Sequence, residues 1–268
     1  MGRVLALSSH VARGHVGLAA TVPALSALGH EVWALPTVIL ASRPGLGRLA
    51  KYPLAAADLA GLLAALEADG CWHELDAVFT GYFASAAAVG AAAAAVKRLK
   101  QANPGVIVAV DPVLGDGGRL YVAADIAAAI RDQLLTLATV ATPNLFELAW
   151  LTGAGHLSAQ HGDKAEVVEA ARRLGVPTVV VTSAAETPEE IATALLSPMG
   201  VFWATLPKRR AIPNGAGDLF AGLLLGYLLR GQPAPEACAA SLADLDVVLA
   251  ASVGSSSLAL ATLGARHS

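Results

Sequence analysis

Ile212-Pro-Asn-Gly-Ala-Gly-Asp218 runs directly into Leu219-Phe-Ala-Gly-Leu-Leu-Leu-Gly-Tyr-Leu-Leu-Arg-Gly231, a polar glycine turn joined to a long apolar helix pattern. The glycines let backbone amides approach a ligand closely, and the following helix aims its free amides and positive dipole end at the same spot. That combination makes a cradle for an oxyanion or a phosphate. Asp218, in the first helical turn, could take a proton from a hydroxyl attacking a phosphoryl group held on those amides. Taken alone, it reads first as an ordinary carboxylate offsetting the helix dipole, which is what an aspartate in a first helical turn usually is. The stretch is not a P-loop, which needs Gly-Lys-Ser/Thr, nor the dinucleotide fingerprint, which would want glycine where Phe220 stands.

Outward from this turn, short β-like runs alternate with alanine- and leucine-rich helical patterns along the whole chain. That alternation is the signature of helices packed on a mainly parallel sheet. Strands are expected at 4–7, 31–38, 76–80, 106–110, 140–141 and 178–181, nearly all apolar as strands covered on both faces must be. Helices are expected at about 16–28, 58–68, 85–101, 126–135, 164–174, 219–229 and 235–251. The runs 191–196 and 201–205, joined through Ser197-Pro-Met-Gly200, predict a late β-hairpin. With no linker and no repeat, the expectation is one α/β domain spanning 1–268, an αβα sandwich in three layers.

Composition narrows the partners. Eighteen lysines and arginines against 21 aspartates and glutamates leave a charge of −3, which offers no basic field for nucleic acid. Two cysteines, Cys71 and Cys238, are too few for a disulfide framework and match no metal spacing, so a reduced, cytoplasmic chain is expected. The stretches 77–96 and 247–265 carry no charge and are long enough to span a bilayer. Their alanines, glycines and serines give little transfer energy into lipid, so no membrane span is expected. The start, MGRVLALSSHVARG, has too short an apolar run for an export signal. His30, His73, His156, His161 and His267 are scattered singly, without partners at ligand spacing.

In open parallel sheets the ligand lies outside the carboxyl ends of the strands. Three further strand ends carry candidate chemistry. Asp111 ends an apolar strand ahead of Pro112 and Gly115-Asp116-Gly117-Gly118, a setting that suits Mg²⁺ or phosphate-bound water and also an ordinary Asp/Gly turn. Thr142-Pro-Asn-Leu-Phe-Glu147 starts a helix, with Glu147 one turn in and turned back toward Asp111. Two acidic groups near one phosphate cradle make sense chiefly if a cation joins them. Val181-Thr182-Ser183 ends another strand with two hydroxyls.

Taken together, the segments NGAGD, DPV-GD, TPN-FE and VTS stand in the order and at about the separations seen in the ribokinase-like vitamin kinases, which the chain resembles. The N-terminal half, with Ser8-Ser9-His10-Val11, Gly14-His15-Val16-Gly17, Thr37-Val38, Thr80-Gly81-Tyr82 and Tyr121-Val122-Ala123, is similar to the pyridoxal kinase branch. The resemblance covers nearly the whole chain. It implies an ATP-dependent kinase acting on the hydroxymethyl group of a B6 vitamer. Carried over by position, it implies that Asp218 is the base and that Gly215, Ala216 and Gly217 form the anion hole. Asp111 and Glu147 would orient Mg²⁺ and its waters, and Asn144, Thr182 and Ser183 would line the nucleotide side. Ser9, Thr37 and Tyr82 would line the pyridine pocket, where hydroxyls can bond ring substituents and a tyrosine gives an apolar wall with a polar tip. ATP and Mg²⁺ are thus implied, a monovalent cation such as K⁺ is allowed, and a homodimer is expected.

Departures bear on substrate. After Thr37-Val38 the resembled kinases continue with an SNHTGY-like run, whereas here Ile39-Leu-Ala-Ser-Arg-Pro-Gly-Leu46 stands, expected to be a loop with Arg43 solvated or on an anion. The stretch 184–210 is short, with the nucleotide lid reduced, and Asn214 replaces a more usual small apolar residue or threonine. Three alternatives remain open at this point: a hydroxymethylpyrimidine kinase, since its substrate is also a flat heteroaromatic ring bearing CH₂OH; a sugar kinase; and a catalytically silent member that binds vitamer or nucleotide.

Overall fold

A computed structural model describes residues 1–46, 50–157 and 163–267. In chain order its elements are β1 (Arg3–Arg13), α1 (Leu18–Ala27), β2 (Glu31–Ser42), β3 (Lys51–Pro53), α2 (Ala56–Ala68), β4 (Ala77–Thr80), α3 (Ala86–Ala102), β5 (Ile107–Val110) and the small hairpin β6 (Gly115–Asp116) and β7 (Arg119–Leu120). Then follow α4 (Ala124–Ala129), β8 (Val140–Ala141), α5 (Leu145–Thr152), α6 (Lys164–Arg173), β9 (Thr178–Glu186), β10 (Glu190–Ser197), β11 (Gly200–Pro207), α7 (Ala216–Leu229), α8 (Ala234–Ser252) and α9 (Ala261–His267).

Among the described residues the main sheet has nine strands in the order β11-β10-β9-β8-β5-β4-β1-β2-β3. The six from β9 to β2 are mutually parallel, with antiparallel β10 and β11 at one edge and β3 at the other. Alternation along the strands feeds two cores. Leu5, Leu7, Val78, Val108 and Val110 face α2, α3 and α4, while Val4, Ala6, Phe79, Ala109 and Val180 face α1, α7 and α8. Both sets are apolar, which is why these strands read as continuous hydrophobic runs. The result is the expected αβα sandwich, with the late hairpin as β10 and β11.

Helix α7 is the innermost. Every residue from Leu219 to Tyr227 is buried, and Gly222 and Gly226 allow α1 and the His30 turn to approach, since a Cβ at 222 would lie 3.0 Å from that of Ala24. His30 itself is buried, its Nδ1 accepting from the Gly2 amide at 3.0 Å and its Nε2 2.8 Å from the Gly226 carbonyl oxygen. Burial, the leading influence, holds its pKa below the usual histidine value. His161 lies outside the described residues.

Several expected boundaries move. β1 continues to Arg13 and β2 to Ser42, so the stretch from Ile39 is strand before it turns at Arg43. The register between β1 and β2 shifts between Ser8 and Ser9, which pair with Pro36 and Val38 and leave Thr37 as the extra residue of a bulge. The helix expected at 126–135 is α-helical only to Ala129, followed by a π-turn at Ile130–Leu134 and a 3₁₀ turn at Leu135–Leu137. Among the described residues no helix is long and apolar enough to cross a membrane.

Candidate active site

The chain leaves β1 for β2 on one side and later adds β4 on the other, so the crevice of the sheet opens at the carboxyl ends of β1 and β4. The first turns of α1 and α7 meet beside it. Gly17 caps α1 at φ 55°, and a Cβ there would sit 2.2 Å from the Ser9 carbonyl oxygen. Gly215 caps α7 at φ 113°, and its Cβ would lie 1.8 Å from the His15 carbonyl oxygen. Only glycine fits either position. Leu219 N–H makes the first intrahelical bond of α7, to Gly215 at 2.9 Å, so Ala216, Gly217 and Asp218 have no intrahelical partner for their amides; that of Asp218 turns to its own carboxylate, which leaves those of Ala216 and Gly217 for a ligand. Nothing would obstruct a Cβ at Gly217 within 4 Å, so its backbone fronts open space.

Thr21 Oγ1 donates to the Asp218 carbonyl at 3.2 Å, locking the two helix ends together. The Asp218 side chain is partly accessible at the bottom of the crevice. Burial pushes its carboxyl up to about 6, against the pull of the Gly17 amide and its own. Asp111 is held at the end of β5 by its amide, which donates to the Thr80 carbonyl at 2.8 Å. Its carboxyl is buried and stands well above the usual range, first through burial and then through the charges of Glu147 and Asp218, with the Thr142 hydroxyl opposing. The carboxylates on β5, α5 and α7 therefore act on one another, and among the described residues none of the three has a lysine or arginine within ion-pair distance.

Glu147 is engaged by backbone. Its Oε2 accepts from the Asn144 amide at 2.9 Å while Asn144 Oδ1 accepts from the Glu147 amide at 2.9 Å, a reciprocal cap that starts α5. Its Oε1 accepts from Leu114 at 2.7 Å and Gly115 at 3.4 Å, and Asn144 Nδ2 donates to the Gly115 carbonyl at 2.8 Å. Burial lifts the Glu147 carboxyl to about 7 in spite of these amides. The pair thus fastens the loop after Asp111 to α5.

Asn144 bridges to Thr182, whose amide donates to the Pro143 carbonyl at 3.0 Å. Ser183 follows at φ 50°; Val113 at 47° and Ala211 at 56° are the other non-glycine residues in this region among those described. Such strain collects where a loop is held for a purpose. Asp116, Asn144, Phe146, Trp150, Ser183 and Glu186 line a cleft of about 800 Å³. Asn144, Thr182 and Ser183 are therefore brought together, on the β8–β9 side, separate from the Ser9–Thr37–Tyr82 side.

On that second side, Ser9 is buried against Gly17. Thr37 is buried and donates its hydroxyl hydrogen to the Tyr82 carbonyl at 2.6 Å, so it positions the tyrosine with its donor already committed. Ser8 Oγ accepts from the Tyr82 amide at 3.1 Å, a contact that the sequence did not single out. Tyr82 packs against the cluster of Val11, Val38 and Leu40, and its hydroxyl accepts from Lys51 Nζ at 3.1 Å. Lys51 went unseen because β3 is three residues long and carries no periodic pattern. Arg43 is partly exposed, and its Nη2 and Nε donate to the Ser256 carbonyl at 2.9 and 3.2 Å.

The residues suit a cation bound jointly with phosphate. The Asp111 carboxyl feels the charges of both Glu147 and Asp218 with no counter-charge among the described residues, and Thr80 Oγ1 is buried without a hydrogen-bond partner among them. Among the described residues no group of three or more acidic, histidine or cysteine side chains is placed to hold a metal alone. That fits Mg²⁺, which takes one or two carboxylates and completes its shell with phosphate and water.

Residues 16–254 match the phosphomethylpyrimidine kinase family model. The chain is 33% identical over 240 residues, 88% of this chain and 84% of the other, to pyridoxal kinase PdxY of Corynebacterium diphtheriae. It is 36% identical to the pyridoxine/pyridoxal/pyridoxamine kinase of Bordetella avium, over 89% of this chain and 81% of the other. The structure of Leishmania donovani pyridoxal kinase in complex with ADP and pyridoxamine superposes with a TM-score of 0.90 at 28% identity, covering 100% of this chain and 96% of that one. Sequence over most of its length and fold over all of it agree, and the chain belongs to the phosphomethylpyrimidine kinase family, in its pyridoxal kinase branch.

Proposed function

We propose that the chain is an ATP-dependent kinase that phosphorylates the hydroxymethyl group of pyridoxal or a related B6 vitamer. The observation that carries this reading is the placement of Asp218 at the shared helix ends, partly accessible and with its carboxyl near 6, so that it is ionised at neutral pH yet basic enough to accept a proton. The substrate hydroxyl approaches Asp218 while the amides of Ala216 and Gly217 face the transferring phosphoryl group. The Ser9–Thr37–Tyr82 side holds the ring, and Asn144, Thr182 and Ser183 hold the nucleotide phosphates. Asp111, with Glu147 acting through the loop it fastens, would hold Mg²⁺, which would supply neutralisation of phosphate charge. Cys71 and Cys238 are free thiols, which suits the cytosol. The whole chain acts as one catalytic domain, and the resemblance brings a homodimer with it, to be tested by analytical ultracentrifugation.

A second reading, hydroxymethylpyrimidine phosphorylation, draws on the description of the matching family model. An ADP-release assay across pyridoxal, pyridoxine, pyridoxamine, hydroxymethylpyrimidine and ribose decides between them. Robust release with a vitamer is the expected result; release with the pyrimidine alone moves the assignment to the second reading, and no release with any substrate points to a silent member.

A further inference from the structure

Lys51 stands on β3, opposite Leu40 of β2. Its ammonium lies 3.1 Å from the Tyr82 hydroxyl oxygen and 5.5 Å from the ring centroid. Among the described residues it has no carboxylate within ion-pair distance. An ammonium can only donate, so in this contact the Tyr82 oxygen is the acceptor, and the phenol's own hydrogen is left to be given elsewhere. Two donors, one of them charged, therefore stand side by side, and among the described residues the Tyr82 hydroxyl gives its hydrogen to no acceptor. Around them the wall is apolar: Val11, Val38 and Leu40, with Val16 adjoining Gly17, whose amide faces Asp218. The contact itself is exposed, so the ammonium and the phenol are open to an incoming ligand, and a charge-assisted bond to an anionic oxygen is the strong one they can make.

The acceptor this arrangement lacks is an anionic oxygen on a flat ring. B6 vitamers carry one, because the basic ring nitrogen of a 3-hydroxypyridine acidifies its hydroxyl and the ring exists largely as a zwitterion in neutral water. Hydroxymethylpyrimidine carries an amino group instead, which donates and meets the ammonium unfavourably. Resting on the B6 reading above, we infer that Lys51, together with the Tyr82 hydroxyl, binds the ring oxyanion of the vitamer and is a specificity-determining residue that selects a hydroxypyridine over an aminopyrimidine. A site built to bond such an oxygen rejects the analogue without it, since its own donors are then left unmatched.

The test compares kcat/KM of the full-length enzyme for pyridoxine, for 3-deoxypyridoxine, in which hydrogen replaces the ring hydroxyl, and for hydroxymethylpyrimidine. Lys51→Met should lower the pyridoxine value by about 10- to 100-fold, the range of a lost charged hydrogen bond. The loss should appear in KM, with 3-deoxypyridoxine and the pyrimidine within threefold of wild type. Lys51→Arg should restore most of the preference, and Tyr82→Phe should shift it in the same direction as Lys51→Met. Equal losses on all three substrates would mean that Lys51 merely props Tyr82, and an unchanged pyridoxine value would mean that it does not meet substrate; either overturns the inference. A wild-type enzyme that phosphorylates the pyrimidine but neither pyridine overturns the B6 reading itself, a failure visible before any variant is made.

Discussion

Asp218 and Asp111 are carboxylates raised by burial for opposite ends. Asp218→Asn keeps the shape and the hydrogen bonds around the helix end but cannot accept a proton. Its kcat should fall by about 10²–10⁴ with nucleotide affinity retained, and in the wild type kcat/KM should decline as pH drops below about 6, where the base becomes protonated. A variant rate near that of the wild type would remove Asp218 from proton transfer. Asp111 tells through stability. A carboxyl whose folded pKa lies above its unfolded value binds more protons folded than unfolded, so it costs stability increasingly as pH rises from about 4 through its folded pKa. Asp111→Asn should therefore raise the Tm of the ligand-free protein at pH 7.5, and the gain should shrink toward pH 4. Thermal unfolding followed across that range checks it. A constant or absent gain would mean that the charge repulsion described here is not felt.

Gly215 and Gly217 are two residues apart at one helix end, and geometry assigns them different fates. Gly215→Ala drives a Cβ into the His15 carbonyl and requires φ 113°, so it should destabilise the protein by at least about 1–3 kcal/mol and lower its denaturant midpoint. Gly217→Ala meets nothing and should leave the midpoint unchanged or slightly higher, as alanine favours helix. Its kcat should nonetheless drop, because the new methyl stands where phosphate comes to the amide; unaltered turnover would displace the anion from that position. Helix α7 was legible in sequence because it is apolar all round, and β4, β5 and β8 because both their faces are covered. The outer part of β1 was not. Beyond Leu7 it pairs only with β2, since β4 ends at Thr80, so one side is open and His10, Ala12 and Arg13 break the apolar run. The turn at Ile130–Leu134 was hidden for a different reason: a single π turn of five residues is too short to displace the apolar pattern of the helix it continues.

Across the whole molecule, the carboxylates of one crevice come from β5, α5 and α7, more than a hundred residues apart at the extremes, and the sheet order alone brings them together. Mg²⁺ with ADP should raise the Tm more than ADP by itself, as binding to the folded state demands. Asp111→Asn should abolish the difference while leaving the smaller effect of ADP. If Mg²⁺ adds as much in the variant, the cation is held elsewhere. The strand-end residues of this site could be named from sequence because parallel sheets place function there. Side-chain partners could not, since which oxygen Glu147 gives to which amide depends on a loop 32 to 33 residues away in the chain. The same limit applies to Arg43, whose partner lies 213 residues on.

The bulge at Thr37 sets a phase. Leu35 belongs to the core under α2 and α3, but Val38 and Leu40, of opposite parity, build the small apolar wall beside Tyr82. One added residue lets a single ribbon serve the interior at its base and a ligand at its tip. Inserting a residue after Val38 would leave both strands able to pair along their length, yet would turn Ile39 and Ala41 inward where Leu40 now stands, whereas loss of Thr37 itself would keep Val38 opposite Ser9 and cost only the bulge and the hydroxyl that holds the Tyr82 carbonyl. The pocket wall is thus written in the counting of the backbone as much as in its side chains, and natural variation in this family should tolerate substitution here far more readily than an insertion beyond the bulge.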